Sequence, residues 1–560
     1  MIETVVPPGL VLFLGAFLLP VLTGHIRSVV ALALPLIALF LVWSVPDGAA
    51  LTIHWFGYEL VPVQGDALAR LFGTVFTLMA FAGGLFALHR DNRFELAAAY
   101  AYAGASVGVV FAGDLLTVFV FWELMALAST FVIWCAGPSA WGASLRYAII
   151  HLLGGVILMA GIAAHVVATG SIAFTAMELG TIGTWLILIG FLVNVGAPPV
   201  SAWVPDAYPS ASWSGAVFLS AFTTKTAVLV LMRGFPGTEM LIWVGLYMIF
   251  YGIIYAILEN DMRRILCYSI VNQVGFMVVG VGIGTEMAMN GVAAHAFAHI
   301  VYKALLLMSA GSVLYATGKS KTTELGGLFR SMPVTAICGI VGALSISAFP
   351  LTSGFVAKSM IMQGAIDAQM ALVFFGLTTA SACAFLYVGL NFPWFVFFDR
   401  DSGLRPKDPP ANMTIAMWLL VVLCIGIGVA PGLFYELMPY PVDYEPYTTA
   451  HVVLQLQLLL FSGLVFFLLL KQLRHTPTIT LDLDWFWRGL GRALGREFNG
   501  LSVAAWERLT GRMLEAAQRF VAGIYRHHGP QGILARGWPT GQMTLWATLL
   551  LAAWLIAYYV

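Results

Sequence analysis

The stretch that decides the fold is AAHAFAHIVYKALLLMSAG, residues 293–311. Its length is close to the ~20 apolar residues that a helix needs to cross a bilayer. His295, His299 and Lys303 recur at every fourth position, so they share one stripe of the predicted helix. An ionisable side chain near the bilayer centre costs roughly 2.5 to 3.5 kcal/mol, and such residues usually line an ion route. The stretch therefore predicts a membrane helix with a transport role; the alternative is a structural histidine pair and a snorkelling lysine.

The composition of the whole chain agrees with this prediction. The 560 residues are 60% hydrophobic and 10% charged, with a mean hydropathy of +0.90. These values lie far outside the range of soluble proteins. Apolar runs recur along the chain and predict an all-α polytopic membrane protein with about 16 transmembrane helices. The net charge of zero argues against a nucleic-acid partner.

No motif of cofactor or metal chemistry occurs in the sequence. The five cysteines are widely scattered without a CxxC pair, and there is no HExxH motif, P-loop or Rossmann fingerprint. We therefore expect no cofactor, no metal and no redox or hydrolytic site in this chain. Any redox chemistry would belong to a partner.

Basic residues are concentrated in alternate loops. Arg27, Arg90, Arg146, Arg263 and Lys319 lie in or beside odd-numbered loops, whereas the even-numbered loops carry mainly acids. The positive-inside rule then places the odd-numbered loops in the cytoplasm. We expect a multi-pass protein of the bacterial or archaeal cytoplasmic (inner) membrane.

Two predicted spans contain helix-breaking residues. Residues 191–208 hold Gly196 and three prolines, and residues 344–359 hold Pro350 and Gly354. Proline removes a backbone donor and clashes one turn back, so each run predicts a broken helix. The runs lie five spans apart, which predicts two five-helix repeats of inverted topology. The alternative is that glycine and proline are simply common in membrane helices.

Three further polar positions are candidates for proton transfer. Glu123 is the only acid well inside its span, and Lys225 is its natural partner if their helices touch; a purely structural ion pair is the alternative. Lys358 follows the second break, where a wet pocket could hold its ammonium group. Asn194 takes the equivalent slot at the first break but cannot titrate. His151 is a lone histidine, more often a packed hydrogen bonder.

Residues 476–540 differ from the rest of the chain. Arg488, Arg492 and Arg496 recur at every fourth position between apolar residues, which predicts an amphipathic helix that lies laterally along the membrane surface or on other helices. We interpret it as a brace or docking surface for partner subunits, or as an interfacial helix without a partner.

Six segments occur in an order that is hard to produce by chance. They are FWELMALAS (121–129), WVPDAYPSA (203–211), FTTKTAVLVLMR (222–233), ENDMRRILCYSIVNQVGFM (259–277), HAFAHIVYKALLL (295–307) and FPLTSGFVAKSMI (349–361). Because of these segments, residues 95–398 resemble the proton-conducting antiporter family. That family is shared by the L, M and N subunits of respiratory complex I, the large subunits of Mrp-type Na+/H+ antiporters and related hydrogenase modules.

The resemblance implies two inverted five-helix repeats around a buried axis of lysine, histidine and glutamate. The proton-transfer residues it implies are Glu123, Lys225, His295, His299, Lys303 and Lys358, with His151, Asn194 and Asp206 as accessory positions. Family members usually carry a lysine where this chain has Asn194. Either Lys225 takes the role of that lysine as the partner of Glu123, or the proton path through the first repeat is modified or inactive.

The same resemblance gives expectations for domains and function. The expected domains are N-terminal helices (1–94), a first antiporter repeat (95–236), a second repeat (237–398), C-terminal helices (399–475), the lateral helix (476–540) and a final transmembrane helix (541–560). The tail is most similar to the D subunit of Mrp-type antiporters. We expect a proton-conducting subunit with other membrane subunits and lipids as partners, and H+ with Na+ or K+ as ions. The alternatives are one subunit of a redox-driven complex, a scaffold with a silent channel, or a carrier of an organic solute.

Overall fold

The structure, a computed structural model, describes residues 5–90, 92–477, 480–530, 532–533, 536–537 and 539–559. Over these residues, thirteen helices are long and apolar enough to cross a membrane. Shorter apolar helices are Pro8–Leu18, Ile182–Val195 and Pro333–Ile346. The predicted all-α multi-pass membrane fold is confirmed, and the exact number of about 16 helices remains a prediction.

The first elements hold the one β-hairpin among the described residues. They are α1 (Pro8–Leu18), α2 (Gly24–Ser44), β1 (Gly48–Trp55), β2 (Tyr58–Gly65) and α3 (Ala67–Ala87). The two strands pair antiparallel. The Val61 amide donates a hydrogen bond to Asp114, the residue that also caps the N-terminus of the fifth helix. The hairpin, which the sequence pattern did not lead us to expect, is thereby tied to the helical body.

Two successive series of helices follow. The first comprises α4 (Arg93–Phe111), α5 (Leu115–Trp134), α6 (Pro138–Thr169), α7 (Ile182–Val195), α8 (Trp203–Ala207) with the 3-10 turn Tyr208–Ser210, α9 (Gly215–Ala221) and α10 (Thr223–Gly234). The second comprises α11 (Met240–Leu258), α12 (Met262–Ile283), α13 (Glu286–Thr317), α14 (Pro333–Ile346), α15 (Ser353–Asp367), α16 (Ala371–Ala384) and α17 (Asn391–Pro393), with π-helical turns at Phe385–Leu390 and Trp394–Phe398.

The two series match element by element. Helices α6 and α13 each have 32 residues, and each ends before a glycine in the left-handed conformation, Gly170 and Gly318. Helices α7 and α14 each have 14 residues and each ends at a break. These equal lengths agree with a duplicated five-helix unit. The exact domain boundaries remain predictions.

Both predicted breaks are present, and protein groups meet the backbone carbonyls there. At the first break Gly196 adopts φ 81°, and the Trp203 indole donates to the Val193 carbonyl over 2.9 Å. At the second break the Lys358 ammonium group donates to the Ile346 carbonyl over 2.9 Å. Carbonyls freed inside a membrane need such partners, and here side chains supply them.

The centre of the bundle is formed by helices that are buried on nearly every face. All residues in the most apolar windows of α12 and of the α9–α10 pair are buried, as are 94% of those in α13. In contrast, only 22% are buried in α2. Polar side chains within these windows therefore do not reach the surface, and they must find partners inside.

The remaining helices complete the chain. They are α18 (Ala411–Val429), α19 (Pro431–Tyr435), α20 (Thr449–Leu468), α21 (Leu470–Leu473), α22 (Asp484–His528) and α23 (Thr540–Tyr559). Residues Trp485–Val560 form a separate compact unit. The 45-residue α22 lies in the segment predicted to hold the amphipathic helix, although the side chain of Arg492 lies outside the described residues. Its lateral position remains a prediction.

The close approach of the two half-helices at the second break can be tested at Gly354. A Cβ atom at this position would lie 1.8 Å from the Ser345 carbonyl oxygen, a backbone atom that cannot move alone. We expect Gly354→Ala to destabilise the protein by about 1–3 kcal/mol, the usual penalty for overpacking. The measurement is the thermal unfolding midpoint in detergent. Gly426→Ala, with nothing within 4 Å of the added Cβ, is the control. Equal midpoints for the two variants would contradict the described packing.

Candidate functional site

Lys225 lies in the first turn of α10, where the chain bends between α9 and α10. Its ammonium group donates to the Ser220 carbonyl over 2.6 Å and to the Thr224 hydroxyl over 3.1 Å. The bend at Phe222, with φ −103° and ψ −69°, separates the two helices. Helix α10 packs most on α7 and also on α12 and α13. Lys225 therefore lies where the two series meet, and it interacts electrostatically with Lys303.

Lys303 is held by the facing surface of α12. Its ammonium group donates to the Ser269 hydroxyl, and the Leu266 carbonyl lies 3.5 Å away. The residue is 0% exposed. Snorkelling to an interface, the structural alternative for this lysine, does not occur.

Lys358 lies beside the second break, in α15. Besides its bond to the Ile346 carbonyl, its ammonium nitrogen lies 4.9 Å from the centre of the Phe276 ring. Ile346 is the last residue of α14, and the C-terminal end of a helix carries a partial negative charge. The broken helix and the aromatic ring thus both favour a cation here.

The two histidines of α13 lie among these lysines. Their ring centres are 6.1 Å apart, and both residues are 0% exposed. His299 interacts electrostatically with Lys225, Lys303 and Lys358. None of the four ring nitrogens has a hydrogen-bond partner in the protein. Buried polar groups are normally hydrogen-bonded, so water molecules are the partners that remain.

The structure therefore brings five of the six predicted proton-transfer residues together. We call Lys225, His295, His299, Lys303 and Lys358 the lysine–histidine cluster. Among the described residues, no carboxylate lies within ion-pair distance of its three lysines, and no group of three or more His, Cys, Asp or Glu could hold a metal ion. Two like charges ~10 Å apart repel by about 1.7 kcal/mol at an effective dielectric of about 20. Full protonation of the cluster is therefore opposed, and a proton gained at one member favours loss from another.

Glu123 lies outside this cluster. Its helix α5 packs mainly on α4 and α6, and its carboxylate lies against Gly155 of α6, where a Cβ atom would be 1.6 Å from Oε1. Val120 and Leu127 on the same face of α5 are 54% and 45% exposed. No ion pair joins Glu123 and Lys225. The pairing expected if their helices touch is not present, because the Lys225 ammonium group binds the Ser220 carbonyl and the Thr224 hydroxyl instead.

The accessory residues have different environments. His151 donates from Nδ1 to the Tyr147 carbonyl over 3.0 Å and stacks on the Tyr147 ring, as a packed hydrogen bonder does. Asp206 accepts two hydrogen bonds from Arg146, over 2.7 and 2.8 Å. Asn194 is fully buried, and neither side-chain polar atom has a hydrogen-bond partner in the protein.

The expected equivalence of Asn194 and Lys358 is wrong. Asn194 is the thirteenth residue of α7 and precedes its break, so its counterpart in α14 is Ser345. Lys358 is the sixth residue of α15, after its break. Counted from the start of α8, the same position is Tyr208. The error arose because the sequence does not show where each helix ends.

A row of polar residues on α12 was not predicted from the sequence. Ser269 binds Lys303, and Asn272 and Gln273 accept hydrogen bonds from the hydroxyls of Tyr387 and Tyr302, over 2.7 and 3.2 Å. The signal was present in SIVNQVGF (269–276), because Ser, Asn and Gln at positions one turn apart share one face of an apolar helix. This row orients the polar groups that face α13.

Comparisons with known proteins agree with this architecture. The chain is 28% identical over 400 residues to a Rhizobium meliloti protein named as the probable A/B subunit of a K(+)/H(+) antiporter, covering 66% of this chain but only 40% of the relative. It is 29% identical over 344 residues to the D subunit of the Na(+)/H(+) antiporter of Alkalihalophilus pseudofirmus, covering 58% of this chain and 68% of the relative.

The fold also matches a solved structure. The membrane-bound sulfane sulfur reductase, an archaeal respiratory membrane complex, contains a chain that aligns with a TM-score of 0.72 at 22% identity, over 98% of this chain and 99% of the other. Residues 112–383 match the family described as NADH:quinone oxidoreductase/Mrp antiporter, TM. This segment holds all six predicted proton-transfer residues. The expected resemblance is thus confirmed over residues 112–383.

Proposed function

We propose that this chain is a proton-conducting subunit of a multi-subunit cation/proton antiporter, similar to the D subunit of Mrp-type antiporters. The observation that carries the proposal is the lysine–histidine cluster. It holds three fully buried lysines with no carboxylate partner among the residues that the structure describes, and two histidines whose ring nitrogens have no hydrogen-bond partner there. A structural role would favour paired charges, because a buried unpaired charge is strongly destabilising. Groups that exchange protons with water do not need a permanent counter-ion.

The mechanism uses repulsion between members of the cluster. A proton arriving at Lys225 raises the local positive charge and disfavours a proton on His299 or Lys303, with which it interacts. The displaced proton moves toward Lys358, which interacts with both His295 and His299. Lys358 lies at the second break, where irregular backbone can line a water-filled path. Glu123 is half-buried on α5, on the same face as the exposed Val120 and Leu127. It is a further proton-carrying group of the first series.

The partners follow from the same proposal. The relatives above are named as antiporter subunits, and we infer that this chain likewise assembles with other membrane subunits. The transported ions are protons, exchanged for Na+ or K+. The membrane is the bacterial or archaeal cytoplasmic membrane, with the odd-numbered basic loops in the cytoplasm.

A second candidate function is that of an antiporter-like subunit in a redox-driven complex. The description of the matched family includes NADH:quinone oxidoreductase, which favours this alternative. The route through the cluster would be the same, and partner subunits would supply the driving force. Identification of the subunits that co-purify with the chain distinguishes the two.

The proposal predicts that transport depends on the buried lysines. Lys303→Ala and Lys358→Ala each remove a proton carrier, so we expect each to abolish proton transport, a reduction of at least about a hundredfold. The measurement is proton flux by a pH-sensitive dye, with the complex reconstituted in vesicles. Assembly is checked separately by native gel electrophoresis.

Lys407→Ala is the matched control for these variants. Lys407 is exposed in a loop, and its substitution should leave proton flux unchanged. Full transport by assembled complexes that carry Lys303→Ala or Lys358→Ala would remove these residues from the mechanism. It would favour the scaffold with a silent channel.

A milder change should come from Ser269. Its hydroxyl is the closest oxygen to the Lys303 ammonium group, and a hydrogen bond to a charged group contributes about 1.5–3 kcal/mol. We expect Ser269→Ala to lower proton flux by about tenfold or more, since about 1.4 kcal/mol is tenfold. Ser312→Ala is the control, because the Ser312 hydroxyl donates to the Met308 carbonyl of its own helix. Equal fluxes in the two variants would show that this bond does not position Lys303 for transport.

A further inference from the structure

The two series of helices differ in which residues occupy matched positions. Counted from the first residue of α6 and of α13, Tyr147 matches His295 and His151 matches His299. Gly155, which makes room for the Glu123 carboxylate, matches Lys303. The stripe that carries two histidines and a lysine on α13 thus carries a tyrosine, a histidine and a glycine on α6.

Hydroxyl groups gather around this stripe of α6. The Tyr147 hydroxyl lies 2.9 Å from that of Ser129 and 3.3 Å from that of Thr223. The Thr223 hydroxyl lies 2.5 Å from that of Tyr102, which also accepts from the Thr223 amide over 2.8 Å. Helices α4, α5, α6 and α10 each contribute one member, and all four residues are buried. We call these four residues and Tyr208 the hydroxyl cluster.

Tyr208 extends the cluster toward the lysines. It occupies the position after the first break that matches Lys358 after the second. Its hydroxyl lies beside Tyr102 and Thr223 but makes no well-formed hydrogen bond, although it is buried. Thr223 of the hydroxyl cluster and Lys225 both lie in the first turn of α10, and Lys225 donates to the hydroxyl of Thr224 between them. The cluster therefore ends beside Lys225.

The other end of the hydroxyl cluster points toward Glu123. On α6, His151 lies one turn from Tyr147 and one turn from Gly155, the residue that contacts the Glu123 carboxylate. His151 Nε2 is buried and has no hydrogen-bond partner in the protein, while Nδ1 is fixed by the Tyr147 carbonyl. Groups able to exchange a proton thus lie in sequence from Glu123 to Lys225, and water would have to bridge the gaps on both sides of His151.

We propose that the hydroxyl cluster, entered through His151, conducts protons between Glu123 and Lys225. The proposal rests on the proposed function. In the transfer, the protonated Glu123 carboxyl group gives its proton to the row. His151 receives the proton at Nε2 and releases it from the same nitrogen to water, while its Nδ1–H stays on the Tyr147 carbonyl. Each hydroxyl then takes one proton and passes its own onward, with water completing the contacts at His151 and Tyr208. The neutral Lys225 amine becomes an ammonium group, and the Glu123 carboxylate remains behind.

Hydroxyl groups suit this task in a dry bundle. Each is both a donor and an acceptor, so it can relay a proton without itself carrying a charge at rest. A lysine at the Asn194 position would add a fourth ammonium group to a protein with three already buried. The row would also connect Glu123 and Lys225, which make no direct contact, in one proton path.

The test compares variants in reconstituted complexes. Thr223→Val keeps the shape of the side chain but removes the hydroxyl that joins Tyr102 to Tyr147, and Thr223→Ser restores it. We expect Thr223→Val to reduce proton flux by about tenfold or more and Thr223→Ser to retain most of it. Tyr102→Phe is a second test of the relay, used if Thr223→Val fails to assemble. We expect it to reduce proton flux by the same factor as Thr223→Val.

Tyr100→Phe is the matched control. Tyr100 is a fully buried tyrosine of the same helix α4, but its hydroxyl donates only to the Ala31 carbonyl, outside the cluster. Normal flux in Thr223→Val or Tyr102→Phe, no rescue by Thr223→Ser, or an equal loss in Tyr100→Phe would overturn the relay. Loss of flux in Lys303→Ala in the same vesicles would leave the proposed function intact. Normal flux in Lys303→Ala would instead refute that function.

Discussion

The structure depends on keeping three ammonium groups inside a membrane bundle without a carboxylate partner. Moving a charge into such surroundings is costly, and no described acid pairs with Lys225, Lys303 or Lys358. Neutral oxygens bind all three: the Ser220 carbonyl beside the α9–α10 bend, the Ser269 hydroxyl, and the Ile346 carbonyl at the second break. Neutral acceptors stabilise a cation without fixing it as permanently charged. Helix interruptions thus supply the oxygen for Lys225 and Lys358, and a side-chain hydroxyl of the continuous helix α12 supplies it for Lys303.

Helices α6 and α13 share a length and a C-terminal glycine but not their side chains. Tyr147 and His151 of α6 stand where α13 carries His295 and His299. On this stripe α13 places two histidines and a lysine, and α6 a tyrosine, a histidine and a glycine. Lys225 belongs to the first series, and its helix α10 also packs on α12 and α13 of the second. The bend before α10 is therefore the junction between the two halves of the proposed route.

Much of the fold could be predicted from the sequence because its signals are local. Apolar length predicted the membrane helices, proline and glycine predicted both breaks, and the spacing of His295, His299 and Lys303 predicted their shared stripe. The same local signals could have identified Ser269 and its neighbours on α12.

Contacts between helices could not be predicted in this way. The spacing within α5 or α10 says nothing about which helix each one faces, so whether Glu123 and Lys225 pair could not be predicted. The hydroxyl cluster draws its members from five separate elements, and no short motif contains them. The β1–β2 hairpin was missed because its alternating pattern lies between long apolar runs, which dominate the sequence.

The central claim is that water joins the members of the lysine–histidine cluster into one seam through the bundle. The most direct measurement is a cryo-electron microscopy map of the assembled complex, at a resolution that shows ordered water. We predict ordered water at hydrogen-bond distance from the ring nitrogens of His295 and His299, in a row that continues to Lys303 and Lys358. Dry apolar packing between these four residues would contradict the account.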